Sequence, residues 1–202
     1  MSQRNLVLAS SSPYRRAILD TLNLTYSVCK PDIDETQLAQ EKATELVMRL
    51  AEEKAKAVAK RESSYQTALI IGSDQVAVCE EQILGKPHTQ ENAVSQLQQF
   101  VGKTVTFYTG LALYDAEEES VDTVCVPFYV TFRDDLTRAE LERYVELEQP
   151  LDCAGSFKSE GLGISLFKSL QGDDPNTLIG LPSIELLKML RKHGINPLAS
   201  DI

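Results

Sequence analysis

Leu6-Val7-Leu8-Ala9-Ser10-Ser11-Ser12-Pro13-Tyr14-Arg15-Arg16 opens on a short apolar run, breaks at three serines and restarts with proline. Consecutive apolar residues bounded by a turn read as a buried strand. Ser12 as N-cap and Pro13 at the first helical position then start a helix that the pattern carries to Leu22. The serine hydroxyl accepts an orphan N–H, and proline lacks the N–H that a first turn cannot use. Outward from this strand-turn-helix unit, residues 26–28 read as a second strand, 31–36 as an acidic loop and 44–61 as a long helix. Ala68-Leu69-Ile70-Ile71 is a buried strand expected to end at Gly72-Ser73-Asp74-Gln75, and a hairpin over 76–84 closes on Gly85-Lys86-Pro87. Thr89 caps a helix to Phe100, 103–114 and 121–133 are long strands, and Thr137-x-x-Glu140 is a capping box. A loop over 151–163, a strand over 164–170 and a helix over 183–193 complete the chain. Val126, Phe128, Val130 and Phe132 alternate, which buries one face, while Pro127 marks an edge or bulge. Strands and helices alternate, but the two successive long strands exclude a purely parallel winding. The fold class is α/β with a mixed sheet.

Composition narrows the function. The 202 residues are 43% hydrophobic and 25% charged, ordinary values for a globular chain. A chain of this size buries roughly 70% of its unfolded surface, enough for one sizeable core, and a single domain over 1–202 is expected. With 20 basic and 30 acidic residues the formal charge is −10, and no basic run exists. Duplex binding needs clustered Lys and Arg to displace counterions, so a nucleic-acid polymer is excluded as partner. A small anionic ligand is not, because a few inward-facing cations suffice to hold one. Cys29, Cys79, Cys125 and Cys153 lie far apart without a zinc spacing and read as reduced, buried thiols. His88 falls in a loop, and His193, before Gly194, complements a helix dipole. The chain starts MSQRN and enters a strand without a long apolar segment. No apolar run approaches the roughly 18 residues of a membrane span. A cytoplasmic location and no membrane partner are expected.

Lys54 is the most informative residue. At about 100° per residue, Leu46, Val47, Leu50, Ala51 and Val58 share one stripe of the long helix, and Lys54 lies within it. A lysine there either snorkels out along its stem or meets a buried anion such as phosphate. The turn from Ser10 to Arg16 supplies hydroxyls and free N–H groups at a helix N-terminus, a ready anion site. Arg15 and Arg16 in that first turn oppose the helix dipole, so a merely solvated role is less comfortable. No Gly-x-Gly-x-x-Gly or P-loop pattern is present. Asp74 stands at the expected C-terminal end of an apolar strand, where open α/β sheets bind ligands, though a plain turn aspartate fits as well. Asp34 and Glu35 suit Mg²⁺ or Mn²⁺ bridging to phosphate, yet most acidic loops are simply solvated. The acidic clusters at 117–119 and 140–148 read as solvated faces.

These same residues carry a family resemblance. Leu8-Ala9-Ser10-Ser11-Ser12-Pro13-Tyr14-Arg15-Arg16 resembles the opening signature of the Maf family of nucleotide pyrophosphatases. Asp34-Glu35, Glu53-Lys54-Ala55, Gly72-Ser73-Asp74, Gly85-Lys86-Pro87, Ala154-Gly155 and Gly180-Leu181-Pro182 continue it in order. The resemblance implies an elongated mixed twisted sheet flanked by helices, with two lobes and a cleft, similar to inosine-triphosphate pyrophosphatases. It implies hydrolysis between the α and β phosphates of a nucleoside triphosphate with a divalent cation, Mg²⁺ or Mn²⁺. Branches of the family that act on dTTP and UTP carry other residues at Tyr14, Gln75 and Glu160; here those positions resemble the YceF-like branch, which acts on 7-methyl-GTP. Carried over, Asp74 is the general base and a metal ligand with Glu35 and Asp34. Ser10, Arg15, Lys54 and Lys86 hold phosphate, and Tyr14, Gln75 and Glu160 select the base. The expected partner is a small-molecule nucleotide, with a homodimer as the assembly. The competing reading is a non-enzymatic nucleotide-binding regulator of septum formation, which needs the cations and base pocket but not Asp74 or the metal carboxylates.

Overall fold

The computed structural model describes residues 4–199. Its elements run β1 (Leu6–Ala9), α1 (Pro13–Thr21), β2 (Ser27–Cys29), α2 (Ala43–Ala59), β3 (Leu69–Cys79), β4 (Gln82–Leu84), α3 (Gln90–Phe100), β5 (Thr104–Asp115), β6 (Ser120–Phe132), α4 (Arg138–Glu148), β7 (Phe167–Gln171), α5 (Pro175–Ile179) and α6 (Ser183–Lys192). Seven strands form a twisted mixed sheet in the order β2-β1-β3-β5-β6-β7, with β4 paired to β3. β1 is parallel to both β2 and β3, whereas β3–β4 and β6–β7 are antiparallel. The N-caps stand where the sequence puts them: Ser12, Thr89 and Thr137 accept from the backbone N–H of Arg15, Asn92 and Glu140, and Glu140 closes its capping box.

Several boundaries differ from the sequence reading. β3 does not end at Gly72 but continues to Cys79, so Asp74 is a mid-strand residue rather than one at a strand end. Residues 162–166 form a 3₁₀ turn, and β7 begins only at Phe167. α5, five residues long, is too short to show a helical period. Pairing of β6 with β7 covers Tyr129 to Phe132, with a register shift at Thr131/Phe132. Pro127 lies outside that stretch, where its missing N–H breaks no β6–β7 bond.

The chain divides into two compact units, one holding 4–75, 109–126 and 180–199, the other 76–108 and 127–179. In the first, Val7, Ala9 and Ile70 from the strands pack with Ala55 and Val58 from α2. The second is built on aromatic rings: Phe157 meets Phe107 and Phe167 edge-on at centroid distances of 5.3 and 4.8 Å. Such geometry adds to area burial because ring edges are positive and faces negative. All four cysteines are free thiols, but only Cys79 is buried and the other three are half-buried, which corrects the sequence reading. Desolvation still pushes the Cys125 thiol up to about 11.

Asp115, at the end of β5, fastens the first unit's terminal segments. Arg4 grips both carboxylate oxygens, with Nη1 at 2.5 Å, and the N–H groups of Glu117 and Glu118 donate at 3.0 and 3.1 Å. His193 Nδ1 lies 3.4 Å away. The Arg4 hydrogen bonds hold the Asp115 carboxyl down to about 2, from an ordinary 3.8. A depressed carboxylate contributes stability that is fully present above its unfolded value and is lost as pH falls through the folded one. This contribution should therefore disappear between about pH 4 and pH 2. Thermal melts down to pH 2 check it: Asp115→Asn should melt lower than the parent at neutral pH, and the gap should close across that window. A gap that stays constant would show that Asp115 is not the group responsible.

Candidate active site

α2 crosses the sheet where two strands lack side chains. A Cβ on Gly72 would lie 1.9 Å from the Ala51 carbonyl oxygen, and one on Gly110 would lie 2.0 Å from that of Val47. Glycine is required at both for helix backbone to rest on strand backbone, and this explains why β3 runs straight through Gly72. That glycine is a contact residue and not a turn. Residues two apart on a strand share a face, so Asp74 faces α2 together with Gly72. Lys54 follows Ala51 by about one helical turn. The close approach thereby delivers the two side chains to each other: Lys54 Nζ donates to Asp74 Oδ1 at 2.6 Å. Lys54 is 5% exposed and Asp74 8%. Of the two sequence readings of Lys54, snorkelling is set aside, for the ammonium is buried and its anion is supplied by the protein itself.

Glu35 Oε1 reaches the same ammonium at 2.9 Å, and its side chain is 60% exposed. Helix α2 also fixes the loop that carries Glu35. Arg49 donates from Nε and Nη2 to the two oxygens of Glu41 at 2.6 and 2.8 Å, and from Nη2 to the Thr36 carbonyl at 3.2 Å. The Arg49 guanidinium holds the Glu41 carboxyl down to about 2. Asp34 Oδ1 accepts from the N–H and hydroxyl of Thr36 at 2.9 and 2.6 Å. That carboxylate shapes the loop, and it is Glu35 that meets Lys54.

The serine turn adds a second cation. Ser10, buried, accepts at Oγ from Ser12 N at 3.1 Å and from Arg15 Nη1 at 3.5 Å, which leaves its own proton as a donor. Arg15 Nε donates to the Gly180 carbonyl at 2.8 Å. Ser73 Oγ lies 2.9 Å from that carbonyl and 2.9 Å from Gly110 O, so one buried hydroxyl ties β3 to β5 and to the loop that orients Arg15. Burial pushes the Arg15 guanidinium below its ordinary value, while the charges of Asp74 and Glu35 act in the opposite sense. Arg15 thus lies in the field of the same two carboxylates that hold Lys54.

Ser10, Arg15, Glu35, Lys54 and Asp74 therefore form one cluster in the first unit. Tyr14, on α1, is 39% exposed. Gln75 follows Asp74 on β3 and, by strand alternation, points to the opposite face, where its Nε2 donates to Thr109 Oγ1 at 2.8 Å. Lys86, after β4, and Glu160, in the loop between α4 and β7, are both exposed and belong to the second unit. Sequence reasoning missed Arg49 and Ser73. The helical pair of Arg49 with Glu53 is legible from spacing, but its reach to Glu41 is not. Ser73 gave no signal beyond lying next to Asp74.

Among the described residues, no three His, Cys, Asp or Glu side chains gather into a group able to hold a metal ion. The donor set is two carboxylates, Glu35 and Asp74, converging on one point. Mg²⁺ is commonly held by one or two carboxylates, completing its octahedron with waters and substrate phosphates. The residues fit a metal that arrives with a phosphorylated ligand and do not fit an all-protein cage.

This cluster of buried ammonium, guanidinium, hydroxyl and paired carboxylates sits in a chain whose residues 5–193 match the family described as Maf-like protein. The chain belongs to the Maf family. Three curated relatives bear a particular name, 7-methyl-GTP pyrophosphatase. The protein from Idiomarina loihiensis is 64% identical over 196 residues, 97% of this chain and 98% of its own. Those from Colwellia psychrerythraea and Pseudomonas aeruginosa are 56% and 54% identical, over 98% and 95% of this chain and 97% of each relative. Among solved structures, the Ham1 protein of Staphylococcus aureus aligns with a TM-score of 0.52 at 15% identity, covering 95% of this chain and 100% of that one. That likeness concerns the fold alone. Among the described residues no helix is long and apolar enough to cross a membrane.

Proposed function

We propose that this chain hydrolyses 7-methyl-GTP to the nucleoside monophosphate and pyrophosphate with a divalent metal ion. The observation that carries the reaction class is the Lys54 ammonium, buried between Asp74 and Glu35. The names of relatives more than half identical over nearly the whole chain support the substrate. Lys54, Arg15 and the Ser10 hydroxyl bind the phosphates, and Lys86 balances charge on the departing pyrophosphate. Asp74 keeps one oxygen on Lys54 and uses the other to take the proton of the attacking water. Glu35 and Asp74 would hold Mg²⁺ or Mn²⁺, which when bound neutralises phosphate charge. Phosphoryl chemistry of this kind is mostly positioning and charge stabilisation, and a pre-paired cluster with Lys54 and Asp74 buried supplies both.

Selection of the base rests on its charge. Methylation at N7 gives guanine a delocalised positive charge and removes an acceptor. The Glu160 carboxylate meets that charge or the ring N–H donors, and Tyr14 offers a π face. Gln75, on the strand face opposite Asp74 with its Nε2 on Thr109, is kept as a selector on the family resemblance alone. Cation–π contact contributes about 0.5–2 kcal/mol and a charged hydrogen bond about 1.5–3 kcal/mol. Roughly tenfold to thousandfold preference over GTP follows at 1.4 kcal/mol per decade. Replacing Tyr14 by Arg, Gln75 by Thr and Glu160 by Gln together should depress 7-methyl-GTP hydrolysis far more than hydrolysis of UTP or dTTP. Equal loss on all three substrates would mean that these positions do not read the base.

A further inference from the structure

Helix α4 ends on a residue that its own dipole disfavours. Glu148 is the last helical residue, where the partial negative charge of the C-terminus repels a carboxylate. The structure shows what holds it there. Glu148 Oε1 accepts from Leu162 N at 2.9 Å, while its backbone carbonyl accepts from Lys158 Nζ at 2.6 Å. One turn earlier, the buried Tyr144 hydroxyl accepts from Lys158 N at 2.9 Å. The segment between these anchors is Ser159-Glu160-Gly161, and it is short of space. A Cβ on Gly161 would lie 2.7 and 2.9 Å from the two Glu148 carboxylate oxygens, and one on Gly163 would lie 2.2 Å from the Lys158 carbonyl. Glu160 itself is exposed, and its Oε2 accepts from the neighbouring Ser159 hydroxyl at 3.2 Å. A flexible, exposed glutamate can discriminate only if its backbone is fixed, because ordering it on binding would consume the affinity it supplies.

We infer that Glu148, aided by Tyr144, is a positioning residue for specificity: it presents Glu160 to the base by clamping both ends of the loop to the C-terminus of α4. The inference rests on the reading of Glu160 as a base selector. Although the acidic stretch 140–148 reads from sequence as a solvated face, Glu148 is half-buried and engaged. It is remote in sequence from the Lys54 cluster, so its loss should spare the chemical step.

Steady-state kinetics of the full chain on 7-methyl-GTP, GTP and UTP, with melting curves for each variant, test this. Glu148→Ala should raise KM for 7-methyl-GTP about tenfold, the scale of one charged hydrogen bond. kcat should stay within about twofold, and KM for UTP should move little. Glu148→Gln keeps an oxygen acceptor for Leu162 N and should restore most of the loss. Gly161→Ala, which pushes a methyl group into the Glu148 carboxylate, should mimic Glu148→Ala, yet add nothing to it once that carboxylate is gone. In the Glu160→Ala background, Glu148→Ala should have no further effect on nucleotide preference. Uniform loss on all substrates, a fall in kcat alone, or additive losses in the double variants would overturn the inference while leaving Glu160 as a selector. Glu160→Ala without change in preference would instead remove the base reading, and the positioning role with it.

Discussion

Lys54→Met should lower kcat/KM for 7-methyl-GTP by about 10² to 10³, the usual scale for removing one preorganised charge that meets the transition state. Methionine preserves the apolar stem within the stripe of α2, so the missing element is the ammonium. Its loss also leaves Asp74 buried without its partner. Breaking a buried pair costs about 3–5 kcal/mol when the remaining charge is fully sealed. Here Glu35 stands in solvent and Arg15 lies in the same field, so the lower end, about 3 kcal/mol or less, is expected. The 2.6 Å bond to Asp74 is why removing the ammonium costs stability as well as activity. Against a typical domain stability of about 5–15 kcal/mol the variant should remain folded but melt lower. Near-normal turnover in a folded Lys54→Met protein would remove Lys54 from the phosphate site.

Asp74→Asn should reduce turnover by about 10² or more, the range for loss of a general base, while nucleotide binding persists. The amide oxygen still accepts from Lys54, so the melting temperature should fall less than in Lys54→Met. Together the two variants separate roles: removing the lysine impairs phosphate binding and turnover, whereas removing the carboxylate charge impairs turnover alone. If Asp74→Asn retains most of its rate at saturating metal and substrate, the proton goes elsewhere.

Much of this was legible in the sequence because local rules dominate where helices begin and where a charge interrupts an apolar stripe. Ser12-Pro13, Thr89 and Thr137 start helices through bonds within a few residues of themselves. Lys54 stands out through a period that any helix must obey, though the period leaves open whether it snorkels or is buried, and the structure buries it. Asp74 is singled out in the sequence for a reason the structure does not bear out. Gly72 looks like a strand end, since glycine commonly punctuates, but its role is to yield to the Ala51 carbonyl, a contact set by tertiary packing. The same holds for Arg49 with Glu41, for Ser73 with Gly180, and for Arg4 with Asp115, whose partners lie 8, 107 and 111 residues apart. No periodicity encodes such pairs. Asp34 and Glu35 are neighbours in sequence, yet one shapes its own loop and the other meets Lys54; only the backbone path after β2 separates them.

The most direct measurement is the fate of oxygen from solvent. The purified chain is incubated with 7-methyl-GTP and Mg²⁺ or Mn²⁺ in ¹⁸O-labelled water, and the products are weighed by mass spectrometry. Water that gives up its proton to Asp74 and attacks the α phosphorus should place one ¹⁸O in 7-methyl-GMP and leave the pyrophosphate unlabelled. Label in the pyrophosphate, release of inorganic phosphate with 7-methyl-GDP, or tight binding without turnover would contradict the account.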